Sequence, residues 1–178
     1  MTTGHVFIAQ SFDGFIARKD DDIDWLMKYD DGGEDNGYDS FASNIDGLIM
    51  GRGTYEKVLQ FDPWPYTKPV TVMSRTLNPS DVPDKLQDKV QIVNLTPIEV
   101  MKAMSEKGWK RAYIDGGKLI QSFLRDGLIE DIIVTIIPVL LGDGIPLFGE
   151  LEQDLDLELV GVKSFKSGFV QTHYNIAK

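Results

Sequence analysis

The sequence predicts a single α/β domain of three layers: a mostly parallel central sheet, helices on both of its faces, and an antiparallel hairpin at its C-terminal end. Three observations carry this expectation. The 178 residues amount to one domain, because a single hydrophobic core holds roughly 100–200 residues before it splits. Between residues 46 and 127, short apolar runs alternate with capped helical stretches, and strands separated by helices pair in parallel with both faces covered. Near the end, two alternating runs are joined by only a few residues, a connection that antiparallel pairing permits and parallel pairing does not.

Taken in order, residues 5–11 (HVFIAQS) form a strand that meets the turn-prone pair Asp13-Gly14, with Phe15, Ile16 and Ala17 continuing it briefly. Residues 19–37 are acidic and Gly-rich, too polar for a core except around Ile23, Trp25 and Leu26, and read as a mobile connection. A helix over about 36–44 has Asp35 or Asn36 as its cap and Tyr38, Phe41, Ala42 and Ile45 at helical spacing. Residues 46–50 (DGLIM) make a buried strand stopped by Gly51, and Thr54 caps a short helix through Leu59. The Pro-rich 61–69 is a loop. Residues 70–74 and 90–94 are strands, and 96–107 a helix with Pro97 in its first turn. Residues 111–115 (RAYID) form a further strand, followed by Gly116-Gly117 and a helix over 118–126 that Gly127 closes. The apolar, β-branched run 130–141 and the alternating runs 155–163 and 168–176 complete the sheet.

Composition narrows the function classes. The charge is -10, from 18 Lys plus Arg against 28 Asp plus Glu, so a polyanion is repelled on average and nucleic acid is not an expected partner. No apolar run approaches the roughly 18 residues of a membrane span, and the N-terminus lacks a basic region followed by an apolar one, so neither a membrane partner nor secretion is expected and the cytoplasm is the expected location. Zero cysteines exclude thiolate nucleophiles and thiolate metal sites, and His5 and His173 lie at opposite ends without metal-ligand spacing. The alternating Asp20, Asp22 and Asp24 lack the glycine and distal Glu of a calcium loop.

Ligands of an open parallel sheet collect at the carboxyl ends of its strands. Three predicted strand ends share one character: MGRGTYE, SRT and DGGK each offer small residues, hydroxyls or a cation. Glycines let a phosphate approach the backbone, and a helix N-terminus adds partial positive charge. Any one of these alone is an ordinary turn, loop or cap; together they describe a cradle for a phosphorylated cofactor. Neither a G-x-G-x-x-G nor a Walker A sequence is present to name that cofactor.

FIAQSFDGFIA (7–17), DIDWL (22–26), DGLIMGRGTYE (46–56), TVMSRT (71–76), IDGGKLIQSFL (114–124) and LIEDIIVTIIPVLLGDGIPLF (128–148) together resemble the dihydrofolate-reductase-like superfamily. The resemblance is nearer to its bacterial branch that includes the reductase domain of the bifunctional riboflavin biosynthesis deaminase/reductase. It implies an NADPH-dependent reductase of a small heterocycle, either a phosphoribosylamino-uracil or a pteridine, or a cofactor-binding module without turnover. By motif, Gly51, Arg52 and Thr54 resemble the cofactor-phosphate loop, Ser74 and Arg75 the adenosine 2′-phosphate site, and Gly116 and Gly117 the pyrophosphate turn, with Lys118, Leu119 and Ile120 opening the helix beside it. Ala9 and Ile16 resemble the nicotinamide shelf. On the substrate side the resemblance implies Asp35 as the first-helix carboxylate, with Asp39 its competitor one turn later and Tyr38 between them. Thr135 matches the late-strand Thr, and Trp25 lies in the loop that closes over the site. A desolvated carboxyl can hold a proton for the reaction, a role the resemblance gives to Asp35. The sheet edge left by the hairpin makes a homodimer conceivable.

Overall fold

The computed structural model describes residues 1–29 and 33–177. Along the chain it forms β1 (Thr3–Ser11), β2 (Phe15–Ala17), α1 (Asp24–Met27), α2 (Tyr38–Ser43), β3 (Gly47–Gly51), α3 (Arg52–Val58), β4 (Val70–Met73) and β5 (Val90–Val93). It continues with α4 (Pro97–Glu106), β6 (Arg111–Asp115), α5 (Gly117–Arg125), β7 (Ile129–Ile137), β8 (Ile145–Pro146), β9 (Leu157–Ser164) and β10 (Val170–Ile176). Eight strands make one sheet in the order β5-β4-β3-β6-β1-β7-β10-β9. Its first six strands run parallel, whereas β10 is antiparallel to both β7 and β9. The expected hairpin is therefore present, with its second strand inside and β9 at the outer edge.

From β3 the chain steps outward to β4 through α3; from β5 and then β6 it steps back through α4 and α5. Because such crossovers are right-handed, opposite directions place the helices on opposite faces. Side chains confirm it: Phe41 of α2 and Tyr55 of α3 pack with Leu48 and Met50 of β3, while Met104 of α4 and Phe123 of α5 pack in the cluster that holds Ile49. Consecutive residues of β3 thus enter two cores, which is why its sequence is a continuous apolar run. Burying each such side chain contributes about 1.5–3 kcal/mol relative to exposure. α4 begins as predicted, with the Thr96 hydroxyl accepting from the Glu99 N–H and the Glu99 carboxylate accepting from the Thr96 N–H at 2.8 Å.

Three local expectations are corrected. α2 is capped by Gly37 at φ +84°; Asp35 accepts from the Gly37 N–H at 2.8 Å and Asn36 from the Tyr38 N–H at 3.0 Å, so both side chains make turns leading into the helix and neither caps it. α3 starts at Arg52, which places Thr54 inside the first turn and not at the cap. Residues 15–17 do not prolong β1. The Ser11 hydroxyl accepts from the Phe15 N–H, and Asp13 accepts from the N–H groups of Leu141 and Gly142, turning the chain so that β2 pairs with β8 in a separate two-stranded ribbon. Among the described residues no helix is long and apolar enough to cross a membrane.

Candidate active site

The sheet's connections diverge at β3 and β6, and at the carboxyl ends of these neighbours the starts of α3 and α5 approach from opposite faces. Such a switch point leaves a crevice for a ligand. Gly116 has φ +103°, and a Cβ there would stand 2.6 Å from the Thr54 hydroxyl, with no room for a side chain. A Cβ on Gly117 would stand 2.9 Å from Ile16 Cδ1 and 3.0 Å from the Pro146 carbonyl oxygen. The Gly-Gly turn is therefore clamped between Thr54 of α3 and the β2–β8 ribbon, and Thr54, Gly116, Gly117 and Ile16 meet at one place. Lys118 is exposed, Leu119 half-buried and Ile120 fully buried in the first turn of α5.

On the other side of Gly51 the cationic features gather. Gly51 and Met73 are register partners, so the residues that follow them, Arg52 and Ser74, leave adjacent strand ends. The Ser74 hydroxyl accepts from the N–H groups of Thr76 and Leu77, fixing a tight turn, and Arg52 donates to the Thr76 hydroxyl at 2.9 Å while pairing with Glu56 at 3.0 Å. Arg75 projects from this turn exposed, with no ion pair or hydrogen bond to its side chain among the described residues. The acidic segment after β2 lies across α3: Lys57 pairs with Asp22 at 3.3 Å, and the Asp21 carboxylate approaches Gly53.

The substrate-side residues are more dispersed. Asp35 is exposed and its carboxylate is turned onto Gly37, so the desolvated carboxyl expected there is not at Asp35. With Glu34, Asn36, Tyr38 and Asp39 it lines an open concavity of about 450 Å³. Trp25 is 1% exposed and packs against Ile137, Phe165 and Phe169; it anchors α1 and presents no ring face to a ligand. Thr135 is buried beside its register partner Ala9. Its hydroxyl accepts from Gln171 at 2.9 Å, and the same amide donates to the Asn36 carbonyl at 3.0 Å. Gln171 thus ties β7 and β10 to the segment before α2, a link with no local signal in the sequence.

The desolvated carboxyl is Asp115, the last residue of β6, directly before Gly116. Burial pushes its pKa up to about 6, opposed in part by the Gly116 N–H, although some of its surface remains accessible. Tyr38, half-buried and edge-on to Phe7 at 5.5 Å, and Tyr66 from the Pro-rich loop are both held above the ordinary phenol range, first by burial and then by the Asp115 charge. Tyr113 lies beneath, donating to the Phe7 carbonyl at 2.8 Å. Sequence reasoning saw Asp115 only as part of a turn motif; a carboxylate immediately before a predicted phosphate-binding Gly-Gly pair was the available signal.

This sheet order, with a Gly-Gly turn clamped at the switch point and cations on the neighbouring strand ends, defines a dihydrofolate-reductase-like α/β domain. The chain belongs to the RibD C-terminal domain family, which it matches over residues 3–171. It is 37% identical to the uncharacterized protein YwjB of Bacillus subtilis (strain 168) over 172 residues, 95% of each chain. A crystal structure of a Shewanella sp. PV-4 protein provisionally named for riboflavin biosynthesis is similar with a TM-score of 0.92 and 40% identity, covering 99% of this chain and 100% of that one. The fold is shared with a Thermotoga maritima diaminohydroxyphosphoribosylaminopyrimidine deaminase/5-amino-6-(5-phosphoribosylamino)uracil reductase, at a TM-score of 0.73 and 12% identity, covering 99% of this chain and 57% of that one.

Proposed function

We propose that the protein is an NADPH-dependent reductase of a small heterocycle of the pyrimidine-reductase type. The observation that carries this reading is the Gly116-Gly117 turn, where a Cβ at either position would crowd Thr54 or Ile16 and the Pro146 carbonyl, at the start of the nine-residue α5. Backbone N–H groups free of side-chain cover, at a helix N-terminus, suit a pyrophosphate. Across the crevice Arg75, exposed and without a partner among the described residues, and the hydroxyl-rich turn of Ser74 and Thr76 suit the 2′-phosphate, since a guanidinium can pair two phosphate oxygens at once. The residues therefore fit the cofactor.

NADPH, when bound, supplies the hydride for an electron-poor carbon of the heterocycle. The chain's part is to align and to exclude water. Ala9 and Ile16 would hold the nicotinamide, and Thr135, beside Ala9, offers a hydroxyl that accepts from Gln171. Asp115 retains its proton up to about pH 6 and is the group we place against the substrate, to hold or deliver the proton that accompanies the hydride. A second reading, a pteridine as substrate, is favoured by the concavity of Glu34, Asp35 and Asp39, whose described lining carries three carboxylates.

Titration with NADPH and NADH tests the cofactor. NADPH is expected to bind in preference, and Arg75→Ala to lose about tenfold to a hundredfold of that preference, the equivalent of one charge-assisted hydrogen-bonded contact. Binding of neither nucleotide, or a preference unchanged in Arg75→Ala, overturns the reading. Loss of NADPH absorbance with each heterocycle distinguishes the pyrimidine from the pteridine, and tight cofactor binding with neither oxidised leaves a module without turnover.

A further inference from the structure

We infer that Gln171 is a positioning residue that commits the Thr135 hydroxyl to donate into the cleft, so that the heterocycle sets a ring carbonyl oxygen, and not an amino group, against Thr135. This rests on the reading of the protein as a heterocycle reductase, and it narrows the substrate, pyrimidine or pteridine, to a ring with such an acceptor at that position.

Ala9 of β1, Thr135 of β7, Gln171 of β10 and Lys163 of β9 are register partners in turn. Directly opposed residues share a face of the sheet, so the four make one row across four neighbouring strands. The segment before α2 lies over the outer part of that row. Lys163 donates to the Asp35 carbonyl, Gln171 to the Asn36 carbonyl at 3.0 Å, and the Lys166 N–H to the Glu34 carboxylate at 2.8 Å. The hairpin thus holds the wall of the concavity that Glu34, Asp35 and Asn36 line.

The hydrogens of Gln171 decide the polarity of Thr135. A backbone carbonyl can only accept, so the Gln171 atom that faces Asn36 is the amide nitrogen. That nitrogen carries two hydrogens: one goes to the Asn36 carbonyl and the other to the Thr135 oxygen at 2.9 Å. The Thr135 oxygen therefore accepts, and its own hydrogen is left to donate. It has no acceptor among the described residues, although Thr135 is buried and a buried hydroxyl hydrogen rarely goes unmatched. The neighbour in the row, Ala9, is half-buried and ends in a methyl, which leaves room beside the hydroxyl. A ligand that satisfies the hydroxyl brings an acceptor to it. A ring carbonyl does so, whereas a ring amino group meets it donor to donor.

Isothermal titration calorimetry with two probes tests this, with and without NADP⁺: diaminouracil, which carries two ring carbonyls, and tetraaminopyrimidine, in which amino groups replace both. Mildly alkaline buffer keeps the second ring from being drawn to the carboxylates as a cation, and circular-dichroism melts verify that each variant folds. The wild-type chain is expected to prefer diaminouracil about tenfold, the effect of one hydrogen bond made against one donor left unpaired. Thr135→Ser keeps the hydroxyl and is expected to keep the preference. Thr135→Val and Gln171→Leu are expected to abolish it. Gln171→Glu is expected to reverse it, because a carboxylate accepts from Thr135 and turns its hydrogen away from the cleft. Were Gln171 only a brace for the wall, its loss would weaken both probes alike and leave their ratio unchanged. Binding of neither probe, no preference in the wild type, or a preference that survives in Thr135→Val, Gln171→Leu or Gln171→Glu overturns the inference. The expected ratios in a chain that neither binds nor oxidises NADPH would instead overturn the reductase reading and leave the polarity of Thr135 standing.

Discussion

Asp115 is where one residue's environment has the largest chemical consequence. Its carboxyl titrates near pH 6 in the folded chain against about 3.9 in an unfolded one. The folded state thus holds the extra proton, and stability falls as pH rises through that window, reaching its full loss above pH 6. Asp115→Asn stays neutral throughout. It is expected to melt like the wild type at pH 4 and to be more stable at pH 8, by about 1–2 kcal/mol once partial exposure is allowed for. If Asp115 also meets the substrate, the same variant loses about 10²–10⁴ in turnover, and the wild-type limb near pH 6 disappears from its kcat/KM profile. A variant no more stable at pH 8 than the wild type would contradict the raised pKa, whatever its turnover. Little of this is legible from the residue itself: the phenols of Tyr38 and Tyr66, which feel the Asp115 charge, come from segments about 75 and 50 residues away. Asp35 matches by motif alone, and the turn that commits its carboxylate to the Gly37 N–H has no signal in the motif.

At the level of elements, what was legible divides by the range of the cause. β3 to β6 and α4 were read within a residue or two because continuous apolar runs and a capping box are local signals. The β2–β8 ribbon was not, because β8 is two residues long and pairs with a strand some 130 residues earlier. That ribbon controls the Gly-Gly turn. Gly117→Ala is expected to cost about 1–3 kcal/mol, despite alanine's better helix propensity, since the Pro146 carbonyl at 3.0 Å is backbone and cannot swing aside. NADPH affinity should fall with it. Gly53→Ala in α3 is the contrasting case: its new methyl meets only the Asp21 carboxylate at 3.5 Å, and a gain of up to about 1 kcal/mol is expected. Thermal melts of the two variants provide the comparison, and a stabilised Gly117→Ala would show that the ribbon yields.

Across the whole molecule, the parallel sheet and the antiparallel hairpin are joined at β7, and a polar link fastens them at the end away from the cleft. Asp131 of β7 accepts from fully buried His5 of β1 at 2.5 Å and from His173 of β10 at 2.9 Å, while the Thr3 hydroxyl meets the other His5 nitrogen at 2.8 Å. Burial acts to raise the Asp131 pKa, but the two histidines outweigh it and hold the carboxyl below its ordinary range. A depressed carboxyl contributes stability above its unfolded pKa and loses that contribution as pH falls through the folded value. Asp131→Ala is therefore expected to destabilise at pH 7 by about 2 kcal/mol, the cost of leaving a buried donor without its acceptor. In a chain of this size that lowers Tm by about 4–8 °C. Because the cores on the two sheet faces are backed by the same strands, the loss should appear as one cooperative transition moved down and not as a separate melting of the hairpin. The difference from wild type should narrow as pH falls below the carboxylate range. Calorimetry at both pH values checks this, and two resolved transitions in the variant would show that the hairpin is stabilised independently of the parallel sheet.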